Sequence, residues 1–432
     1  MIPSLWREPL VAVGGPDQVI SDEQAEGLLL EALGRLAPRR VLLVPPDYTR
    51  YHSGTGTLTV AAARWLRAEG AQVDILPALG THAPVSRAQA EVMFAGLDPA
   101  DLLTHDWRND LAPLGVVPGE FVARVSGGLV DFDVPIAVNR RLVEGGYDLI
   151  LSLGQVVPHE VIGLANQAKN ILVGTGGTET INRTHFLGAV CGMERLMGRA
   201  DTPVRAVLRE GMARFAGHLP VCYLLTVRAE TSSGLVTRGL YIGGDEGTFE
   251  AAARLSQQVN LDLLDAPLER VVVWLQPDEY HSTWLGNKAI YRTRMALADD
   301  AKLIILAPGV ETFGEDPEID RLIRAYGYRD TPTTLAAVDQ HAELRANLSA
   351  AAHLIHGSSE GRFRVTYAPG GLTRAEVEGV GYGWGDLDRL VARYQPVGRA
   401  TGPAATADGE PFFFVANPAL GLWALRSAFE DA

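Results

Sequence analysis

The sequence predicts an α/β protein built as two α/β domains with mainly parallel sheets. Short apolar runs alternate with stretches of helical period, the pattern of a sheet whose strands are joined by helices. The alternation restarts beyond about Asp265. The 432 residues also exceed what a single core usually serves. We therefore expect an N-terminal domain over residues 1–262 and a C-terminal domain over 263–432.

In chain order, "RVLLV" is the first clear strand. In the following "TLTVAAARWLRAEG", Leu58, Ala62, Trp65 and Leu66 share a helical face and Gly70 ends the run. "AQVDILPAL" is the next strand, and "SRAQAEVMF" a helix with Ser86 as N-cap. "YDLILSL" is a strand, and "KNILV" reads as one more. "GMERLMGRADTPVRAVLREGMARFAG" is helical around a break at Pro203. In the second domain "RVVVWL" is a strand and "GNKAIYRTRMALADDA" a helix. "KLIILAP" and "RFRVTYAP" are strands, each followed by a glycine-containing turn, and "PFFFVA" closes the series.

Composition narrows the function. A formal charge of −14 speaks against a nucleic-acid partner, which calls for basic patches. The two cysteines, Cys191 and Cys222, have no metal-binding spacing and exclude a disulfide framework, so a reducing, cytoplasmic setting is expected. "MIPSLWREPL" has no basic segment followed by an apolar one, as a secretory signal would. No apolar run approaches the ~20 residues of a membrane span.

Polar residues cluster just after the strands. Asp47 and Arg50 follow "VLLV", His82 follows "VDILPAL", His159 follows "LILSL", and the glycines of "GTGG" follow "NILV". Ligands of open parallel sheets bind beyond the carboxyl ends of the strands, so these loops should converge on one cleft. Lys288, soon after "VVVWL", places that active-site cleft between the domains. Each residue alone has a plainer reading: a structural histidine, a turn-capping Asp47–Arg50 ion pair, a solvated Lys169, a simple glycine turn. We read His105 and Trp107 as structural. The joint placement of the others favours a site. The chain has no HExxH, GxSxG or GxGxxG, so zinc-protease, α/β-hydrolase and dinucleotide readings are weak.

The combination "DYTR", "LGTH", "PHEVIGLANQAKNILVG" and "NRTH", with Lys169 ten residues after His159 and His185 sixteen after Lys169, resembles the lactate racemase family. These are nickel-dependent racemases and epimerases of 2-hydroxy acids. The resemblance implies a nickel pincer nucleotide (pyridinium-3,5-bisthiocarboxylic acid mononucleotide nickel), with Lys169 as its covalent attachment and His185 as a nickel ligand. Lysine is a competent nucleophile toward an activated acyl group, and imidazole a good nickel ligand. Asp47, Gly174, Gly176 and Gly177 are assigned to the cofactor, the glycines through backbone N–H groups near its phosphate. His82 and His159 are the implied acid/base pair, one for each stereoisomer. Arg50 and Lys288 would hold the substrate carboxylate. Implied partners are a small 2-hydroxy acid and the cofactor-synthesis enzymes, with no nucleic acid and no membrane.

Where lactate-type members are rich in glycine and serine, this chain has "LANQA", and its "AN…KNI…VGTGG" form resembles a sugar-acid epimerase branch. An aldonate such as gluconate is therefore favoured, with lactate or another small 2-hydroxy acid as the alternative. Asn166 and Gln167 are candidates for hydrogen bonds to a polyhydroxylated substrate. Two other classes stay open: a cofactor-free binding protein, and a metal-dependent hydrolase or lyase using His82, His159 and Glu160.

Overall fold

The computed structural model describes residues 8–231, 234–419 and 421–430. Residues 1–7, part of the stretch read for a secretory signal, lie outside the described residues. The chain forms two compact units. The first comprises residues 1–187 and 196–260, and the second residues 188–195 and 261–432.

The first unit is built on a six-stranded sheet in the order Val11–Gly14, Gly234–Gly243, Val221–Thr231, Leu149–Gln155, Arg40–Val44, Gln72–Ile75. The last four strands are parallel to one another. The first two join antiparallel. Leu43, Leu151 and Leu153 point into a core shared with Leu29 and Leu33 of the helix Asp22–Leu36 and with Ala62, Ala63 and Leu66 of the helix Thr55–Ala68. Each such leucine contributes about 1.5–3 kcal/mol by leaving water. Ser86 caps the helix Arg87–Met93 as expected, in a capping box with Gln89.

The chain steps from Arg40–Val44 to Gln72–Ile75 on one side and later reaches Leu149–Gln155 on the other. This reversal leaves a crevice beyond the carboxyl ends of the central strands, where α/β sheets bind ligands. The loops carrying Asp47, His82 and His159 leave those three adjacent strands there.

The second unit carries its own six-stranded sheet, in the order Gly383–Trp384, Arg364–Pro369, Leu297–Ala307, Leu268–Trp274, Pro411–Val415, Gly402–Ala405. Its strands are parallel except for Gly402–Ala405. Val272, Leu306, Ala368 and Phe414 form its core.

Three segment assignments change. "KNILV" is not a strand: Ala168–Leu172 is a helix. A short apolar run that is buried on all sides has the same composition in either conformation. "LADDA" belongs to the strand Leu297–Ala307, and the helix before it covers only Lys288–Thr293. Pro203 does not break a helix but opens one, Pro203–Gly211, with Thr202 as N-cap.

Candidate active site

Beyond the sheet of the first unit lies a pocket open to solvent. Asp47, Arg50, His82, Lys169, Gly174 and His185 all line it. Residues up to 138 positions apart in the chain are thus brought together.

Asp47 ends the turn after the first parallel strand. One carboxylate oxygen caps the short helix Tyr48–Ser53, accepting from the Thr49 backbone N–H at 3.0 Å and from its hydroxyl at 2.5 Å. The other accepts from Nδ1–H of His82. Burial raises the Asp47 carboxyl, but the hydrogen bond and charge of His82, with Thr49 and Arg50, outweigh it and hold the group below its ordinary range. Whenever the ring is neutral, a carboxylate holding Nδ1–H leaves Nε2 of His82 with its lone pair outward. That side chain is 54% exposed, so the lone pair is reachable. The plain capping role of Asp47 and the site role coexist, because the two oxygens divide the work.

His185 lies on the helix Thr178–Cys191. Its Nδ1–H donates to the Ile181 carbonyl one turn earlier, at 2.7 Å. That bond fixes the tautomer with Nε2 unprotonated, the form a metal needs. Burial pushes its pKa down to about 4, with Lys169 adding to the effect.

His159 sits in a two-residue ribbon in which Pro158–His159 pairs with Gly163–Leu164. Its orientation is opposite to that of the other two: Nδ1 accepts the Val161 backbone N–H at 3.1 Å. The neutral ring therefore carries its proton on Nε2 and offers a donor, not a lone pair. Burial drives its pKa well below 6.5. Glu160 opposes this, while Lys169, Arg50 and His185 reinforce it. His159 is buried behind the pocket and is not part of its lining.

Lys169 is partly exposed to the pocket. Its amine is pushed down to about 8, chiefly by burial and also by Arg50, against the pull of Asp47 and Glu160. A substantial fraction is unprotonated near neutrality, which makes it a nucleophile. The next residue anchors it: the Asn170 amide donates to the Val44 carbonyl at 3.2 Å and to the Ser152 hydroxyl at 2.9 Å.

The glycines separate by role. Gly174 lines the pocket, and its carbonyl accepts from the Gly80 N–H at 2.8 Å. A Cβ on Gly174 would come within 2.3 Å of the Asn170 carbonyl. Gly176 and Gly177 do not line the pocket. A Cβ on Gly176 would meet the Leu172 carbonyl at 1.9 Å, and one on Gly177 the Leu111 side chain at 2.6 Å. His105, read as structural, holds the turn: Nε2–H donates to the Gly176 carbonyl at 2.9 Å.

Gln167 departs from expectation. Its amide N–H donates to Glu246 at 2.7 Å and its oxygen accepts from Arg205 at 3.0 Å. Both ends are occupied away from the pocket, so it is not available to a polyhydroxylated substrate. Asn166 does line the pocket, as does Gln155, which the sequence did not single out. Lys288 opens the helix Lys288–Thr293 in the second unit, its ammonium 5.7 Å from the Tyr280 ring centre.

Among the described residues no group of three or more His, Cys, Asp or Glu could hold a metal ion. A metal at His185 would have to bring its remaining ligands with it. No described helix is long and apolar enough to cross a membrane. Cys191 and Cys222 are both buried free thiols.

Residues 30–196 match the sequence family described as the lactate racemase N-terminal domain. That segment holds every pocket residue named above. No curated protein matches the chain. Among solved structures, a Thermotoga maritima protein determined by a structural genomics consortium superposes with a TM-score of 0.80 at 25% identity, covering 96% of this chain and all of that one. The lactate racemase apoprotein from Thermoanaerobacterium thermosaccharolyticum superposes with a TM-score of 0.72 at 15% identity, covering 96% and 94%. The latter likeness is one of fold.

Proposed function

We propose that this chain is a racemase or epimerase that inverts C2 of a 2-hydroxy acid, with a nickel pincer nucleotide attached through Lys169. The observation that carries the reading is a single pocket holding a depressed lysine amine and a histidine with its Nε2 unprotonated. A cofactor-free binding protein needs neither. A hydrolase built on His82, His159 and Glu160 would not need the lysine.

The residues fit the group. Lys169 would form the thioamide and His185 would supply a nitrogen to nickel, whose other ligands the cofactor provides. When bound, the group supplies an acceptor for the C2 hydrogen as hydride. The side chains do the rest. His82, oriented by Asp47, takes the hydroxyl proton at Nε2. His159, which lies outside the lining and carries its proton on Nε2, is proposed as the other acid/base group. Arg50 holds the carboxylate. Asp47 and Gly174 border the cofactor, and Gly176 and Gly177 set the turn beside it.

For the substrate we favour an aldonate such as gluconate. Asn166 and Gln155 add hydrogen-bonding groups to the lining. A site built to bond hydroxyls discriminates against an acid that lacks them, so lactate would be a poor substrate. The protein would depend on the cofactor-synthesis enzymes and act in the cytoplasm.

Intact-mass spectrometry of protein made with and without those enzymes tests the reading. A covalent addition together with nickel is expected, and it should vanish in Lys169→Ala. An unchanged addition in that variant would end the Lys169 assignment. Loaded enzyme should invert aldonates and return deuterium to C2 without exchange into water. Washout of the label would overturn hydride transfer, and efficient lactate racemisation without aldonate activity would overturn the substrate.

A further inference from the structure

The segment 162–167 delivers Lys169 to the pocket in an unfavourable backbone conformation. Asn166 has φ 71° and Gln167 φ 59°, two consecutive non-glycine residues in the left-handed region. Each such residue is strained and persists only where its surroundings over-determine it. Gln167 is also the residue before the helix Ala168–Leu172, so its conformation sets the direction in which that helix, with Lys169, departs.

The over-determining contacts come from residues 198–205. The Gly198 N–H donates to the Gly163 carbonyl at 2.9 Å, and the Thr202 hydroxyl to the Ile162 carbonyl at 3.0 Å. Arg205 supplies the other two contacts, donating to the Leu164 carbonyl and to the Gln167 side-chain oxygen. Gly163 permits the close approach, since a Cβ there would lie 2.2 Å from the Arg199 carbonyl. The other end of the Gln167 amide is held by Glu246, itself paired with Arg209.

Arg205 is an unusual choice for this duty. It is fully buried, its guanidinium lies 3.8 Å from the Phe249 ring centre, and its Nε has no hydrogen-bond partner among the described residues. None of its hydrogen bonds described above goes to a carboxylate. A buried cation held by neutral acceptors is costly for stability. What it supplies is a rigid fork that reaches a carbonyl and an amide oxygen at once.

We infer that Arg205 is a positioning residue for Lys169: with Glu246 it clamps Gln167 in its left-handed conformation and so aims the lysine amine into the pocket. The importance of the amine rests on the function proposed above. The clamp itself can be measured without cofactor or substrate.

The chain has only three lysines, Lys169, Lys288 and Lys302, and the exposed Lys302 serves as an internal reference. The apoprotein is treated with a limiting amount of acetic anhydride at about pH 8, near where unprotonated Lys169 becomes abundant, and peptide masses give the Lys169:Lys302 labelling ratio. Two variants are compared with the parent, Arg205→Met and Gln167→Gly. Glycine tolerates positive φ, so Gln167→Gly loses the clamp without losing the turn, and it decides the matter alone if Arg205→Met fails to fold. With the clamp released the amine relaxes toward solvent. The ratio should fall by about tenfold or more, since an amine at about 8 is half unprotonated at this pH and one restored toward 10.5 is almost wholly protonated. Circular dichroism establishes that the variant scored is folded. A ratio within about twofold of the parent in a folded variant would overturn the inference. Failure of the parent to acquire covalent cofactor would instead sink the functional reading and leave this ratio unaffected.

Discussion

Replacing Lys169 by methionine should make the apoprotein more stable. The lysine amine titrates at about 8 in the folded chain against an ordinary 10.5, so its protonated form is disfavoured by the fold. At neutral pH the unfolded chain carries that proton without penalty, and the folded state pays about 3 kcal/mol to keep it. The sign follows from proton counting. Between about pH 8 and 10.5 the folded state binds fewer protons than the unfolded one, so stability rises with pH through this window. The cost is fully present below the window and absent above it. Methionine has similar length and no charge. Lys169→Met should therefore add about 3 kcal/mol to the unfolding free energy at about pH 7 and under about 1 kcal/mol at about pH 10. Urea denaturation of both proteins at the two pH values, followed by fluorescence, gives the difference directly. A variant less stable than the parent at neutral pH, or a gain equal at both, would refute the idea that the pocket strains this amine.

Asp47→Asn keeps the shape but no longer fixes Nδ1–H of His82. In loaded enzyme turnover should drop by about 10²–10⁴ while covalent cofactor stays, and full activity would remove His82 as the base. Nitrogen NMR of histidine-labelled apoprotein should show His159 protonated at Nε2 and bare at Nδ1, with His185 the reverse and His82 carrying a proton at Nδ1. A proton on Nδ1 of His159 would contradict its bond from Val161. His185→Ala should retain the covalent addition at Lys169 yet lose nickel, and nickel at the parent stoichiometry would show that the ligand lies elsewhere.

How much of this was legible beforehand depended on where each residue's chemistry is decided. The parallel strands announced themselves because Arg40–Val44 and Leu149–Gln155 are buried runs closed by polar turns. Asp47 and His159 stood out because they follow those runs, and His82 because it follows the run "VDILPAL". "KNILV" misled because burial on all sides erases the period that separates helix from strand. The antiparallel pair Val221–Thr231 and Gly234–Gly243 passed unnoticed, since it bears no motif. Gln167 was read outward, as an amide beside a pocket, but its partners Arg205 and Glu246 lie 38 and 79 residues further on. Arg205 itself gave no signal, as arginine is almost always exposed. The opposed tautomers of His82 and His159 depend on a carboxylate and a backbone N–H that no spacing reveals.

The clamp on Gln167 also carries a schedule. A ribosome makes Lys169 well before Arg205, and Glu246 later still, yet both are needed to aim the amine. A nascent chain halted near residue 200 would hold the lysine on an unbraced segment, with an ordinary, mostly protonated ammonium. Attachment of any group at that position would thus await completion of the first unit.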